Sequence, residues 1–216
     1  MNDASEKIVY FVRHGESEAN ITPVYQPLGS PLSGKGRQQA KLIAERIAKV
    51  SFEALVVSPL FRAKETAEAI TKLTGKKPEY SDLFVERIKP TRLGGKSRDD
   101  KEASGLWKEW EKSLYAHGLR AEDGENFDDH IARADKALDF LKNRTEKTMV
   151  VVTHGFFLRT IIARVILGDS LTPEAFKNFH MRVGTENTGL SVLKYSKTWE
   201  TTSWLLWIFN DHAHLG

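Results

Sequence analysis

The sequence predicts an α/β domain on a mostly parallel sheet, and three observations carry that prediction. Two apolar runs, Ile8–Val12 and Thr148–Thr153, are rich in β-branched and aromatic residues, as strands covered on both faces are. Each run stops at a histidine followed by a glycine, His14-Gly15 and His154-Gly155. Between them, apolar residues recur at helical spacing, so strand and helix alternate along the chain. The length, 216 residues, suits one domain over residues 1–216 with an elaborated loop better than two domains.

Composition narrows the function classes. The 32 basic and 29 acidic side chains leave a formal charge of +3, and the two signs are interleaved. A nucleic-acid binder more often shows a one-signed stripe, so no nucleic-acid partner is expected. Cysteine is absent, which excludes disulfides and thiolate metal sites. Residues 1–6 hold no apolar signal core, and no apolar run approaches the length of a membrane span. No membrane partner is expected, and the expected location is the cytoplasm.

Taken in order, the first strand ends at Arg13 and is followed by a loop, Glu18–Ser30, punctuated by Pro23, Pro27 and Gly29. Gly15 is expected to let the chain turn sharply and a ligand approach the backbone. Ser33 is an N-cap candidate for a helix whose inner face is Ala40, Ile43, Ala44, Ile47 and Val50. Phe52–Val57 reads as the next strand, ending at Ser58-Pro59, which predicts the N-cap and first position of a second helix. Ala63, Ala67 and Ile70 give that helix its inner face, and Gly75 ends it.

Glu79–Val85 reads as a short strand, followed by Glu86-Arg87 and an irregular basic stretch through Pro90, Gly94 and Gly95. Residues 98–117 read as a helix with Leu106, Trp107, Trp110 and Leu114 on one side, where packing is the expected role of both tryptophans. Asn126 caps a periodic helix of Phe127, Ile131, Ala134, Leu138 and Leu141. Gly155–Leu167 is apolar nearly all round and predicts a buried helix. Leu190–Tyr195 and Ser203–Phe209 close the chain as strands. The run Trp204–Phe209 is either interior or an interface, the second option making a homodimer.

In an open α/β sheet, chemistry gathers beyond the carboxyl ends of the strands. Arg13, His14, Asn20, Arg62, His154 and the carboxylate of Glu86 are the candidates there. Arg62 falls in the first turn of its helix, where side chains lean back toward the N-terminus and unpaired N–H groups attract anions. Two guanidiniums and a second imidazole around one histidine suit a phosphoryl group, whose oxygens match the planar arginine forks. A neutral imidazole can attack phosphorus, and a carboxylic acid can protonate the departing alcohol. The sequence offers little to hold a metal or cofactor beside these arginines, and none is expected. His117, His130, His180 and His212 are expected to be ordinary surface or structural histidines.

Four motifs together resemble the histidine phosphatase superfamily, in its phosphoglycerate mutase-like branch. They are Arg13-His14-Gly15-Glu16-Ser17-x-x-Asn20, Leu32-Ser33-x-x-Gly36-x-x-Gln39-Ala40, Ser58-Pro59-Leu60-x-Arg62-Ala63-x-x-Thr66-Ala67 and Thr153-His154-Gly155. Weaker echoes are Gly124-Glu125-Asn126, Asn187-Thr188-Gly189 and Asn210-Asp211-x-x-His214-Leu215. The resemblance implies a three-layer α/β/α sandwich with residues 87–125 forming part of a lid. It implies His14 as the phosphorylated nucleophile, with Arg13, Arg62 and His154 completing the phosphate pocket and Asn20 touching the phosphoryl group. Ser17 and Gly155, inside the matched motifs, join the phosphate-binding candidates. Glu86 sits where the family places its proton donor, with Asp82 and Glu125 as alternatives.

One departure bears on activity. Mutases of this branch typically follow the acid with Arg, an aromatic, Gly, Leu and another Gly, whereas here Glu86-Arg87 continues Ile88-Lys89-Pro90-Thr91-Arg92-Leu93-Gly94-Gly95. The expectation is therefore a phosphatase acting on a small phosphorylated metabolite. A phosphoglycerate mutase-type phosphotransferase and a non-catalytic phospho-ligand adaptor are the alternatives. Arg87, Lys89, Arg92, Lys96 and Arg98 are candidates to recognise a second anionic group.

Overall fold

The computed structural model of the protein describes residues 6–25, 27, 29–199 and 203–216. The first apolar run forms β1 (Glu6–Arg13), in which Val9, Phe11 and Val12 are fully buried. It lies between β4 (Thr148–Thr153), which runs parallel to it, and β5 (Leu190–Ser196), which runs antiparallel. With β2 (Ala54–Val57), β3 (Pro78–Tyr80) and β6 (Trp204–Asp211) they make a six-stranded sheet of order β3-β2-β4-β1-β5-β6. The β3-β2-β4-β1 part is parallel and the last two strands are antiparallel, so the sheet is mixed.

Helices cover both faces, which makes the three-layer α/β/α fold. On one face α1 (Gly34–Ile47) and α2 (Phe61–Thr74) bury Ile43, Ile47, Ala63, Ala67 and Ile70 against Val12, Leu55 and Val152. On the other, α4 (Phe127–Lys142) and α5 (Gly155–Leu167) bury Ala134, Leu138, Phe157 and Ile161 against Val9, Phe11 and Val151. Alternate residues of the central strands feed the two cores, as the period-two geometry of a strand requires. Of two further helices, α3 (Lys101–Lys112) lies outside the sandwich's central cores, and α6 (Pro173–Arg182) reaches one of them through Phe179.

Several elements depart from the sequence expectation. Within Glu79–Val85 only the first residues pair in the sheet; Asp82–Phe84 is a 3-10 turn opened by the Ser81 hydroxyl, which accepts from Leu83 N–H. The turn lets Phe84 drop into the core, whereas a continued strand would carry it past β2. Residues 98–117 are helical only over Lys101–Lys112, because Asp100 takes the N-cap and accepts from Glu102 and Ala103 N–H. The second helix starts at Phe61, not at Pro59, and Leu60 occupies its N-cap position. Helix α5 is buried on its sheet side, yet Ile166 is exposed, so it is not interior all round.

Trp204–Phe209 is neither fully interior nor fully exposed. It lies in the edge strand β6, where Trp204 is buried while Leu205, Trp207 and Phe209 face outward. Gly15 makes a close approach of a different kind from the one expected. A Cβ there would stand 2.5 Å from the carbonyl oxygen of Gly36, and one on Gly36 would stand 1.9 Å from that of Glu16. The two glycines let the first turn of α1 seat against the loop after β1. That seating is fastened by Glu16 N–H donating to Gln39 and by Ser33 capping Gly36.

Candidate active site

The register of the central strands explains why two residues distant in sequence meet. Arg13 pairs with Thr153 across β1 and β4, and His14 N–H donates to the Thr153 carbonyl at 2.9 Å. His14 and His154 are the next residues on each strand, and their ring centroids lie 5.0 Å apart. Both side chains are buried.

The tautomer of His14 follows from its neighbours. Arg62, in the first turn of α2, donates from Nε to His14 Nε2 at 3.1 Å. A guanidinium only donates, so Nε2 is the acceptor and the ring proton is on Nδ1. Nδ1 donates in turn to the Gly15 carbonyl at 2.6 Å. Burial first, and then the charges of Arg62 and Arg13, hold the His14 pKa well below the ordinary histidine value. The imidazole is therefore neutral, with its lone pair on the nitrogen beside the arginines. Burial also pushes Arg62 down to about 10, which leaves it charged at neutral pH.

His154 is kept neutral by burial and by the nearby Arg62 charge. Its Nε2 meets the Ser58 hydroxyl at 2.7 Å, and its buried Nδ1 has no protein partner. Arg13 is held by a hydrogen bond to the Thr185 carbonyl, and its Nε is likewise buried without a partner. A Cβ on Gly155 would stand 2.8 Å from that Nε, so the glycine makes room for the Arg13 side chain. These two unpaired atoms lie beside the Arg62 guanidinium and the His14 lone pair, where acceptor oxygens of an occupant would satisfy them.

Glu86 comes to the same place by another route. Its carboxylate accepts from Phe156 and Phe157 N–H at the first turn of α5, at 3.3 and 3.0 Å. Its charge is felt by both Arg13 and Arg62. Of the alternative acids, Glu125 is committed elsewhere: both oxygens bind Arg133, at 2.6 and 2.7 Å, and one also accepts from Ile88 N–H. Burial opposes its ionisation, but the hydrogen bonds from Arg133 and His130 outweigh that and hold the carboxyl well below the usual range. Asp82 opens the 3-10 turn, exposed, on the wall of the cavity that Arg62 and Glu86 also line.

Glu86 is positioned by this Glu125–Arg133 pair. Arg133, from α4, donates to the carbonyls of Leu83, Val85 and Glu86 at 3.0, 2.9 and 3.4 Å. Arg87 runs the other way and ties the lid, donating to the carbonyls of Glu125 and Trp110. Asn20 and Ser17 are joined to each other, the Asn20 Oδ1 accepting from Ser17 N–H and hydroxyl. Asn20 is exposed and faces a cavity of about 1120 Å³ that Arg62 and Glu86 also line, while Ser17 is buried beneath it. Of the five lid cations only Arg87, Lys89 and Arg98 line this cavity, and Arg87 is taken up by the contacts just described. Arg92 instead pairs with Glu102 and Glu122.

Sequence reasoning missed three contributors. Ser58 was read as a helix cap, and only the fold shows its hydroxyl against His154. Asn187 donates from its side-chain nitrogen to the His14 carbonyl, and Thr188 N–H to that of Arg13, fixing the backbone behind the histidine. The Asn187-Thr188-Gly189 motif was the available signal. His130 and His180, by contrast, are buried away from the His14–His154 pair, His130 against Glu125 and His180 against the Phe156 ring.

A mixed α/β sheet with paired histidines and arginines at its carboxyl edge defines a class of protein, and comparison with known proteins gives the family. The sequence model of the histidine phosphatase superfamily (branch 1) matches residues 9–206, and the chain belongs to that superfamily. A Photorhabdus laumondii protein named "Probable phosphoglycerate mutase GpmB" is 29% identical over 214 residues, spanning 96% of this chain and 94% of the relative. Bacillus stearothermophilus YhfR superposes with a TM-score of 0.79 at 26% identity, covering 97% of this chain and all of that one. An Entamoeba histolytica phosphoserine phosphatase, as a histidine-to-alanine mutant in complex with phosphoserine, superposes with a TM-score of 0.71 at 25% identity over 97% and 99% of the two chains. Among the described residues, no helix is long and apolar enough to cross a membrane.

Proposed function

We propose that the protein is a phosphomonoester hydrolase that works in the cytoplasm, without a metal, on a phosphorylated metabolite bearing a second negative charge. The observation that supports it most is the state of His14: neutral, protonated on Nδ1 by the Gly15 contact, with the lone pair of Nε2 beside Arg62. That is the form of imidazole able to attack phosphorus. When a phosphomonoester enters, the Arg62 donor passes from Nε2 to a phosphoryl oxygen and frees the lone pair. Arg13 Nε and His154 Nδ1 supply further donors, the Ser58 hydroxyl donating to His154 Nε2 so that the ring proton sits on Nδ1. In-line attack forms the Nε2–P bond as the ester P–O bond breaks, and Glu86 in its acid form protonates the departing alkoxide. Glu86, now a carboxylate, takes a proton from water as that water attacks the phosphohistidine, releasing phosphate and restoring both groups. Positioning and charge stabilisation dominate this class of reaction, and fixed guanidiniums supply both. Lys89 and Arg98, on the cavity that Arg62 and Glu86 share, are assigned to the second negative group.

A mutase is the second reading, favoured by the names of curated relatives such as the Photorhabdus protein. The two are separated by the acceptor. Purified enzyme given a phosphomonoester with chelator present is expected to release free phosphate stoichiometrically, and His14→Ala is expected to release none. Conversion of 3-phosphoglycerate to its 2-isomer, with little free phosphate, supports the mutase instead. Binding without either reaction supports a phospho-ligand adaptor.

A further inference from the structure

The cavity beside the phosphate pocket is far larger than a phosphorylated three-carbon acid needs. Its volume of about 1120 Å³ exceeds the roughly 300–1,000 Å³ typical of small-ligand sites. Its outer wall is aromatic and apolar. Tyr25 and Trp107 stack with centroids 4.9 Å apart and planes at 24°, and Trp110 meets Trp107 edge-on at 4.9 Å. Leu60, Ile88 and Pro90 continue the wall. Ile88 is 48% exposed, a large apolar side chain facing a concavity with nothing over it among the described residues.

The wall is also held in place, so it is a feature of the resting protein. Trp110 Nε1 donates to the Glu125 carbonyl at 3.0 Å, and the Arg87 guanidinium lies over the Trp110 ring at 3.8 Å. A Cβ on Gly124 would stand 2.7 Å from both Pro90 and Trp110, so the lid packs tightly there. The cavity thus has Arg62 and Glu86 on the side of the phosphate pocket, and across from them an apolar wall flanked by Lys89 and Arg98.

Resting on the hydrolase reading, we infer that the natural substrate is a phosphomonoester whose alcohol carries a ring-bearing apolar body, which lies along the Tyr25–Trp107–Ile88 wall while its phosphoryl group is held at His14. Tyr25 and Trp110 are buried, and a phosphorylated three-carbon acid would leave the open parts of that wall, Ile88 and the half-buried Trp107, wet. Aromatic rings favour flat partners through stacking and edge contacts as well as through buried area.

The test compares propyl phosphate with 3-phenylpropyl phosphate, two primary alkyl esters whose leaving groups differ little in reactivity. The expected kcat/KM ratio is at least about tenfold in favour of the phenyl ester, which corresponds to about 1.4 kcal/mol, and it is expected in KM. Trp107→Ala and Ile88→Ala are each expected to pull the ratio toward one. A ratio cancels any loss of folded enzyme, so a partly misfolded variant does not imitate this result. A ratio near one in the parent enzyme, or a ratio unmoved in both variants, overturns the inference. Equilibrium binding of the same esters to His14→Ala, followed by tryptophan fluorescence, keeps the two claims separable. An enzyme inert toward every ester that still binds the phenyl ester at least tenfold more tightly sinks the hydrolase reading and supports the wall. Equal binding sinks the wall alone.

Discussion

The floor of the site and the lid above it are made in different ways. The floor is set at the ends of β1 and β4 and in the first turns of α2 and α5, with His14, Arg62 and His154 at most 3% exposed. Its contacts are hydrogen bonds from parts of the sandwich that cannot move without unpairing the sheet. The segment 87–125, expected from the sequence to form part of a lid, has one longer helix, irregular stretches, and a small core that it shares with Tyr25, around Leu93, Leu106 and Trp110. It is joined to the rest of the chain by Arg133, which pairs with Glu125, by the bridge between Val24 and Ser97, and by Asp128 and Asp129 of α4, which hold His117, Gly118 and Arg120. The difference teaches where each property resides. On the proposed function, reactivity belongs to the buried sheet edge and substrate choice to the segment beside it.

Predictions follow that division. Deleting the centre of the floor has the largest effect: His14→Ala is expected to lower kcat by on the order of 10⁴ or more, the scale seen when a covalent nucleophile is removed. Phosphate release on p-nitrophenyl phosphate measures it, and a loss under tenfold breaks the assignment.

Arg62→Ala is expected to cost about 10²–10³ in kcat, as for one fixed donor at a developing charge. It also carries a sign. The Arg62 charge helps depress His14, so its removal raises the His14 pKa toward 6.5 and moves the acid limb of kcat/KM to higher pH. An unmoved limb contradicts this.

The joint between floor and lid comes next. Arg133→Met is expected to lower kcat about 10- to 100-fold, since it releases the carbonyls that fix Glu86, and small misplacements of a catalytic group are costly. Esters with good leaving groups, which need little protonation, are expected to lose less than alkyl esters. Equal losses on both point to a general structural effect and blur the division drawn here.

The smallest expected effect is on stability. His14, His130, His154 and His180 are all held below the ordinary histidine pKa, burial being the first cause in each. In the unfolded chain they take up protons as pH falls through about 6.5, while the folded protein resists doing so. Stability is thus complete above about 6.5 and declines below it. The urea midpoint is expected to fall between pH 7.5 and 5.5, a window above that in which most carboxylates titrate. A midpoint constant across it breaks the picture of neutral buried imidazoles.

What could be read from the residues follows the same line. Strands β1 and β4, helices α1, α4 and α5, and the approach of His14, Arg62 and His154 were legible because each rests on a short local pattern: an apolar run, a cap, a His-Gly junction. Ser58 was not, since Ser-Pro before a helix is also a good capping pattern and the competing contact comes from a strand 96 residues away. Helix α6 carries a legible start, Thr172 followed by Pro173, but its two buried side chains, Phe176 and His180, make no long stripe to read. The Glu125–Arg133 pair joins the lid's end to α4 and then reaches back to the segment at 83–86, so no local pattern announced it. The aromatic wall was hidden for the same reason. Trp107 and Trp110 at helical spacing read as packing, which they do provide against Tyr25; that they also line the cavity shows only in the fold.

The central claim is a covalent bond between phosphorus and His14 Nε2. Enzyme mixed briefly with a ³²P-labelled phosphomonoester, quenched in alkali and digested, tests it most directly, because phosphohistidine survives alkali and is lost in acid. The account predicts alkali-stable, acid-labile label on the peptide containing His14 and none in His14→Ala. Label on another peptide, or turnover with no label trapped at any quench time, contradicts it.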